Sequence, residues 1–583
     1  MKNSASRIAF AFVLGVTATV VHSQVVTPPL NPVIGRSDTF SADPRVPKPN
    51  TPPCTVNLFS NLQFADFNTK NFTYAPPKGC PGPWSKVVLK ADFTVTAGRQ
   101  FDRTAEFFVG GANIYFGTTA EPRKTLSPNW HVERDLTDLS AIFTTSQAGT
   151  AILGNFVGNS GGVDYTGIIY STAQLLFYPI SSTVPAPKVP DIVIGIPGNS
   201  GAANLNSTSS QLTQSVTLPT NVEEAYLDVI AQSQSNDEFW YLCVPDDLAT
   251  QLQSCGSTGF RETEISIDGV PAGVAPVYPW VFTGGIDPYL WEPIPGVQTL
   301  DFKPFRVNLT PFAALLSDGK AHTIAISVFN ADSYFAVEGN LLAFTDKGSK
   351  QVTGQLIQNT LTAAPSPTIV NKIVTDTNGY VTGFVKVSDV RQYTLYSTLY
   401  TSHGPVHTRV YASLDFTNKQ NFVINSTAYK QDLVQTTTGN ISTITSDSGV
   451  TRTDEQVLSY PFTFNFDETV NSDGTLTIAN KSDQKYLVKA KTFYPPNTWA
   501  DTTLTSTGTP APFVQTVSNE VSSTDDLFYD ANGNFTGHAG QAWQTYVGKD
   551  SSGYCYSRSL VAQNLVFTSD TVGAACAPPN PQK

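Results

Sequence analysis

The chain has 583 residues and carries 35 Lys and Arg against 47 Asp and Glu, a formal charge of −12. An acidic surface of this kind repels phosphate backbones, so nucleic acid is excluded as the expected partner. The length is sufficient for several buried cores, and three domains are expected.

Lys2 and Arg7 precede an apolar run from Ile8 to Val21 and the small residue Ser23 before Gln24. This pattern predicts a secretory signal over 1–23 and a secreted, extracellular protein beginning near Gln24. No later stretch has the eighteen or so unbroken apolar residues of a spanning helix, so no membrane partner is expected. Residues 24–53 are proline-rich and expected to be extended. A first domain is expected over 54–180, a linker over 181–190 (SSTVPAPKVP), and a second domain over 191–347. The remainder, 348–583, turns to Thr, Ser, Asn and Asp with short β segments such as YPFTFNF and YLVKAKTFY, and reads as a third β-rich region with no catalytic pattern.

The first two domains read as copies. Leu89 in VVLKADFTV falls on Leu227 in AYLDVIA, and Gln100-Phe101-Asp102 falls on Glu238-Phe239-Trp240 at the same offset. A second offset places Gly110-Gly111 on Gly284-Gly285 and Leu136-Thr137 on Leu309-Thr310. Three landmarks in one order favour duplication over coincidence. Period-two alternation at Ile324, Ile326 and Val328 marks strands, and Asp268-Gly269 marks a hairpin. One short helix is expected at TPFAALLSDG, capped by Thr310, with Pro311 first and Gly319 as the stop, and the same turn at DLTDLSAIF. Many short strands between Gly, Pro and Asn turns give an all-β chain of sandwiches or jelly rolls.

Six cysteines fall in close pairs, Cys54 with Cys80, Cys243 with Cys255 and Cys555 with Cys576. Short loops close most readily, so neighbour pairing is expected. No C-x-x-C or H-E-x-x-H occurs, and His403 and His407 lack a nearby carboxylate in sequence, so no metal is expected. Seven sequons, at Asn71, Asn206, Asn308, Asn425, Asn440, Asn480 and Asn534, agree with a glycosylating route. Gly158-Asn159-Ser160-Gly161-Gly162 satisfies the serine-nucleophile pattern but lies among strands, and reads as a glycine-rich loop.

Carboxylates remain. Asp102 lies between Phe101 and Arg103, and Asp237 and Glu238 precede Phe239-Trp240-Tyr241. Aromatic neighbours desolvate an acid and raise its pKa, whereas an adjacent arginine keeps one ionised; opposed environments make an acid/base pair. A face such as that of Trp240 also suits a sugar ring. For any one of these acids alone, a solvated charge at a strand end is the simpler account. Duplication changes the balance, because equivalent positions in two adjacent sandwiches can converge on one cleft.

GRQFDR, GGANIYFGTTAEPR, VERDLTDLSAIF, LPTNVEEAYLDV, NDEFWY and VFTGGIDPYLW together resemble the plant and fungal peptide N-glycosidase A family, over about residues 54–347. The chain is more distantly similar to the bacterial peptide N-glycosidase F type. The resemblance implies two tandem jelly-roll β-sandwich domains packed side by side with the site between them, and an amidase that frees an N-glycan from asparagine, without a cofactor. N-glycosylated peptides and proteins are the implied partners. It implies Asp102 and Glu238 as catalytic residues and Arg103 and Arg261 at the substrate, where Asp237 and Trp240 are also expected from their own acidic and aromatic character. Another acid of the bacterial type falls near Asn155, and Cys243 to Cys255 is an insertion. A carboxylate glycosidase and a non-catalytic glycan-binding sandwich are the competing readings.

Overall fold

The computed structural model describes residues 28, 30–121, 123–197, 201–493 and 512–576, so the expected secretory signal lies outside the described residues. The first β-sandwich comprises β1 (Cys54–Phe64), β2 (Lys70–Tyr74), β3 (Trp84–Val95), β4 (Thr104–Val109), β5 (Ala112–Thr118), β6 (Asn129–Asp135), β7 (Gln147–Leu153), the small hairpin β8 (Gly158–Ser160) and β9 (Val163–Tyr165), and β10 (Ile169–Pro179). One sheet has the order β1-β10-β3-β6 and the other β2-β7-β4-β5. Alternating apolar residues meet between them. Phe107 contacts the rings of Phe59 at 5.1 Å, Phe93 at 5.9 Å and Tyr115 at 5.0 Å, while Phe93 stacks on Trp130 at 5.1 Å. Truncating Phe107 would cost about 3–5 kcal/mol.

The second sandwich comprises β11 (Ile192–Ile196), β12 (Ala203–Leu205), β13 (Gln211–Thr217), β14 (Val222–Gln234), β15 (Glu262–Ile267), β16 (Val270–Pro276), β17 (Phe305–Asn308), β18 (Ala321–Phe329) and β19 (Tyr334–Thr345). Its sheets run β11-β19-β14-β17, with β12 also on β19, and β13-β18-β15-β16, which repeats the first sandwich strand for strand. The duplication reaches single hydrogen bonds. The Oγ1 of Thr137 accepts from Val87 N at 3.1 Å, and the Oγ1 of Thr310 accepts from Ala225 N at 3.2 Å. In each copy a short helical turn follows, at Thr137–Thr144 and at Thr310–Phe312 running into Ala313–Leu316. The cap is not Thr310. Asp135 accepts from Thr137 N and Asn308 accepts from Thr310 N, at 3.0 and 2.9 Å, leaving each threonine to bridge to a strand.

One expected correspondence is corrected. Gly110-Gly111 forms the β4–β5 turn, whose counterpart by strand order is the Asp268-Gly269 turn between β15 and β16. Gly284-Gly285 instead lies in the long segment between β16 and β17, and has no counterpart in the first copy.

The third region is a twelve-stranded antiparallel sheet. Its central strands are not short: Val381–Thr401, Gly404–Asn425, Ala428–Asp447 and Val450–Val470 are 20 to 22 residues each, roughly 70 Å for the longest at the rise of a β-strand. YPFTFNF is a stretch within the last of these. One face of this sheet packs on the second sandwich in a common core that includes Trp240, Tyr241, Phe416 and Phe462. Among the described residues before β1 there is no regular strand, but this stretch runs along the sheet, with Gly35 N donating to Phe567 O at 2.8 Å and Phe567 N to Arg36 O at 3.0 Å. The three neighbour disulfides are formed. Among the described residues no helix is long and apolar enough to cross a membrane.

Candidate active site

Asp102 lies on the connection from β3 to β4, and Glu238 on the equivalent connection leaving β14. The two sandwiches are tied beside these acids, where Thr104 at the start of β4 meets Gln232 of β14 at 3.0 Å and Gln234 at 3.3 Å. The segment between β16 and β17 then lies along β5. Thr118 N donates to Thr299 O at 2.9 Å, and the Thr283 hydroxyl donates to Thr119 O at 2.8 Å while accepting from Glu121 N at 2.9 Å.

These contacts bring a third acid to the pair. The amide of Asp102 donates to Glu121 Oε2 at 3.3 Å. A methyl carbon at Gly284 would overlap that same oxygen, and one at Gly285 would stand 3.6 Å from Glu238 Oε1. A side chain at Gly284 would therefore displace Glu121, and φ there is +85°, which favours glycine independently, whereas one at Gly285 would press on Phe282 O at 3.1 Å and Phe239 at 3.2 Å and only touch Glu238.

The three carboxyls are desolvated and feel one another. Burial pushes Asp102 up to about 6 against the pull of Arg103. Burial and the charge of Asp102 push Glu121 up to about 7. Burial and the charges of Asp102 and Glu121 push Glu238 up to about 8. Arg103 donates from Nη1 to Asp102 O at 3.0 Å and lies 4.6 Å from the Phe101 ring centroid. Phe101 is 37% exposed and packs on Tyr165 at 4.7 Å. The cleft thus offers an arginine, a partly exposed aromatic ring and carboxyls of graded acidity, which is the arrangement acid/base chemistry requires.

Asp237, Trp240 and Arg261 do not face this cleft. Arg261 and Asp237 form an enclosed ion pair, with each side chain 1% exposed and Nη2–Oδ1 at 2.8 Å. The other oxygen of Asp237 accepts from Asp332 N at 2.9 Å and Ser333 N at 2.7 Å, and Arg261 Nη1 donates to the carbonyls of Ser257, Thr258 and Phe260. Trp240 is 0% exposed and lies 6.3 Å from the Phe416 ring. These residues hold the Glu238 turn and have no surface to present to a substrate. Short helical turns at Ser235–Asp237 and Trp240–Leu242 send sequence neighbours to opposite sides, so Asp237 and Trp240 go inward while Glu238 remains at the cleft. Asn155 is likewise enclosed, donating to Phe64 O and Gly167 O at 3.0 Å each. Glu121, which sequence reasoning passed over, supplies the third acid from GTTAEPR.

Elsewhere, Ser160 lies in the β8–β9 hairpin beside the turn Gly161-Gly162, far from any strand-to-helix elbow. His403 does have carboxylates in space, Glu223 at 3.1 Å and Asp447 at 2.9 Å, and so pins the third sheet to the second sandwich. Asp346 also lies near it, but its oxygens are taken by Ser402 and by Gly348 N. A cleft of ≈ 790 Å³ between Pro76–Trp84 and Pro187–Asp191 is lined largely by proline and holds Asp191 as its one carboxylate among the described residues.

Two like β-sandwiches with three desolvated carboxyls near their joint are the frame of this protein. The chain belongs to the peptide N-acetyl-beta-D-glucosaminyl asparaginase amidase A family, whose model matches residues 44–362. It is 29% identical over 406 residues to the peptide-N4-(N-acetyl-beta-glucosaminyl)asparagine amidase A of Prunus dulcis, covering 65% of this chain and 68% of that one. Among solved structures it is similar to PNGF-II, at 13% identity and a TM-score of 0.34 over 50% of this chain and 66% of that one. It is also similar to recombinant peptide: N-glycanase F, at 15% identity and a TM-score of 0.34 over 50% of this chain and 96% of that one. The chain thus spans about two thirds of the length of the Prunus dulcis amidase and of PNGF-II.

Proposed function

We propose that this chain is an amidase that cleaves the bond between an asparagine side chain and N-acetylglucosamine in N-glycosylated peptides and proteins. Water adds to the side-chain carbonyl carbon, the C–N bond breaks, the peptide keeps an aspartate and the glycan leaves as a glycosylamine. Family membership supports the reaction, and the graded carboxyls at the sandwich joint carry the assignment of residues. Asp102, the most acidic of the three and next to Arg103, is the group that accepts a proton from water or orients it. Glu238, the least acidic, holds the proton that the departing nitrogen needs. Arg103 and Phe101 line the place where the inner sugar sits. Two jelly rolls meeting at this cleft, and export through an oxidising route, belong to the same reading. The repeated strand order supports the first, and the three disulfides with exposed sequons support the second.

The deciding experiment treats a defined glycopeptide with purified protein in water enriched in heavy oxygen and weighs both products. An intact glycan and a peptide whose asparagine has become labelled aspartate are expected. A peptide that keeps one sugar on asparagine would point to a glycosidase, and binding without any product to a lectin-like protein.

A further inference from the structure

The third sheet lies outside the cleft, yet it holds the turn that carries Glu238. Asn418 Nδ2 donates to Tyr241 O at 2.7 Å and to Gln435 Oε1 at 2.9 Å. Gln420 Nε2 donates to Cys243 O at 2.9 Å and to Asn418 Oδ1 at 3.0 Å. Gln431 completes the row, donating to Gln420 Oε1 at 2.7 Å and to Leu242 O at 3.2 Å. Asn418 and Gln420 are each 1% exposed. Buried amides of this kind are costly unless paired, and the side-chain nitrogens of Asn418, Gln420 and Gln431 all donate within the row, while Gln435 Nε2 at its end has no partner. Gly259 belongs to it, because a methyl carbon there would stand 2.7 Å from Asn418 Nδ2.

On the other side of Glu238, Asp237 is anchored by Arg261, and Ser233 Oγ donates to Glu238 O at 3.3 Å. The turn is thus gripped at both ends, by its own sandwich before the acid and by the third sheet after it. The same sheet holds the glycine-bearing segment through Gln484, which donates to Pro279 O at 2.6 Å and accepts from Val297 N at 2.7 Å.

We propose that Asn418 and Gln420 are positioning residues for Glu238, and that the third sheet is a template for the cleft. The proposal rests on the amidase reading above and assigns the third region a part in it. Removing the amide donors frees the backbone from Tyr241 to Cys243, so Glu238 loses its fixed place relative to Asp102 and becomes better hydrated.

The test compares full-length wild type, Asn418→Leu, Gln420→Met and the milder Gln420→Asn on one glycopeptide across pH, with thermal unfolding of each. A fall in kcat of about ten- to a hundredfold for the first two is expected, with KM within about twofold, since small misplacement of a reacting group is costly. The alkaline limb of the rate profile should move to lower pH as Glu238 gains solvent. Gln420→Asn keeps an amide and should recover part of kcat, and it decides the matter if the other two do not fold. Folded variants with wild-type kcat and an unmoved alkaline limb would overturn the positioning role while leaving the amidase reading intact. A wild-type chain that leaves the glycopeptide untouched would instead overturn the reading on which it rests.

Discussion

The amide of Asp102 and the carboxylate of Glu121, nineteen residues apart in the chain and both on loops of the first sandwich, are joined at 3.3 Å. The bond makes Glu121 an acceptor from the backbone of its neighbour acid, so the two carboxyls are held near each other although their charges repel. Glu238, arriving from the other sandwich, then feels both.

Asp102→Asn keeps the shape of the side chain and removes its charge. Turnover of a denatured glycopeptide should fall by about a hundred- to ten-thousandfold, the usual worth of a positioned acid/base group, with an unchanged thermal midpoint or a slightly higher one. A variant retaining wild-type kcat/KM would remove Asp102 from the reaction.

Glu121→Gln takes away one of the two charges that raise Glu238. The pKa of Glu238 should fall, so the alkaline limb of kcat/KM should shift toward acid. A limb that stays in place, or moves the other way, would show that Glu121 does not couple to the group responsible.

Stability should also carry the mark of the cluster. Because Glu238 is raised from 4.5 to about 8, its contribution to folding is complete below about pH 4.5 and is lost as pH rises through about 8. Thermal midpoints of the wild type should drop over that window, by an amount equivalent to at most about 5 kcal/mol, and Glu238→Gln should flatten the dependence. Parallel curves for the two chains would contradict a desolvated, proton-holding Glu238.

Arg261→Met leaves Asp237 buried without its partner. Loss of one member of an enclosed ion pair costs about 3–5 kcal/mol, which should appear as a lower urea midpoint. A substrate-binding arginine would instead raise KM with stability unchanged, so the two measurements separate the roles.

Asn480 carries a sequon but is 3% exposed, and its Nδ2 donates to Asp287 Oδ2 at 2.9 Å. Its neighbour Ser482 is 0% exposed. Protein made in a glycosylating host should carry sugar at some of the exposed sites Asn71, Asn206, Asn440 and Asn534, and none at Asn480. Peptide masses showing a glycan on Asn480 would be incompatible with the packing of that strand.

The fold was legible where the chain is locally periodic. Alternation at Ile324, Ile326 and Val328 lies on β18, and the helical turn after β17 was visible from Thr310 and Pro311. The site was legible at Asp102 and Glu238, which stood out because each lies beside aromatic residues just past equivalent strands, although the register itself sets Glu238 against Gln100 and Asp102 against Trp240. It was not legible where chain direction changes within three residues: Asp237 and Trp240 flank Glu238 in sequence but point into cores. Glu121 was missed because the loop that carries it, between β5 and β6, is the counterpart of the much longer segment between β16 and β17, and the difference in length leaves no residue-by-residue match. The signal that could have found it was Gly284-Gly285, a glycine pair demanding close approach, which was matched to a hairpin turn instead. The third sheet's share in the cleft depends on contacts such as Asn418 to Tyr241, 177 residues apart, and no spacing in the sequence reports them.

The strip that includes Gly35 and Arg36 is hydrogen-bonded to Phe567 near the far edge of the third sheet. During synthesis those early residues must wait for nearly the whole chain to leave the ribosome before finding their partner. The two sandwiches can collapse sooner, since their strands pair within each copy. A nascent chain halted before the third sheet should therefore hold both acids while lacking the frame that aligns them, so that competence to act would arrive last, with completion of the polypeptide.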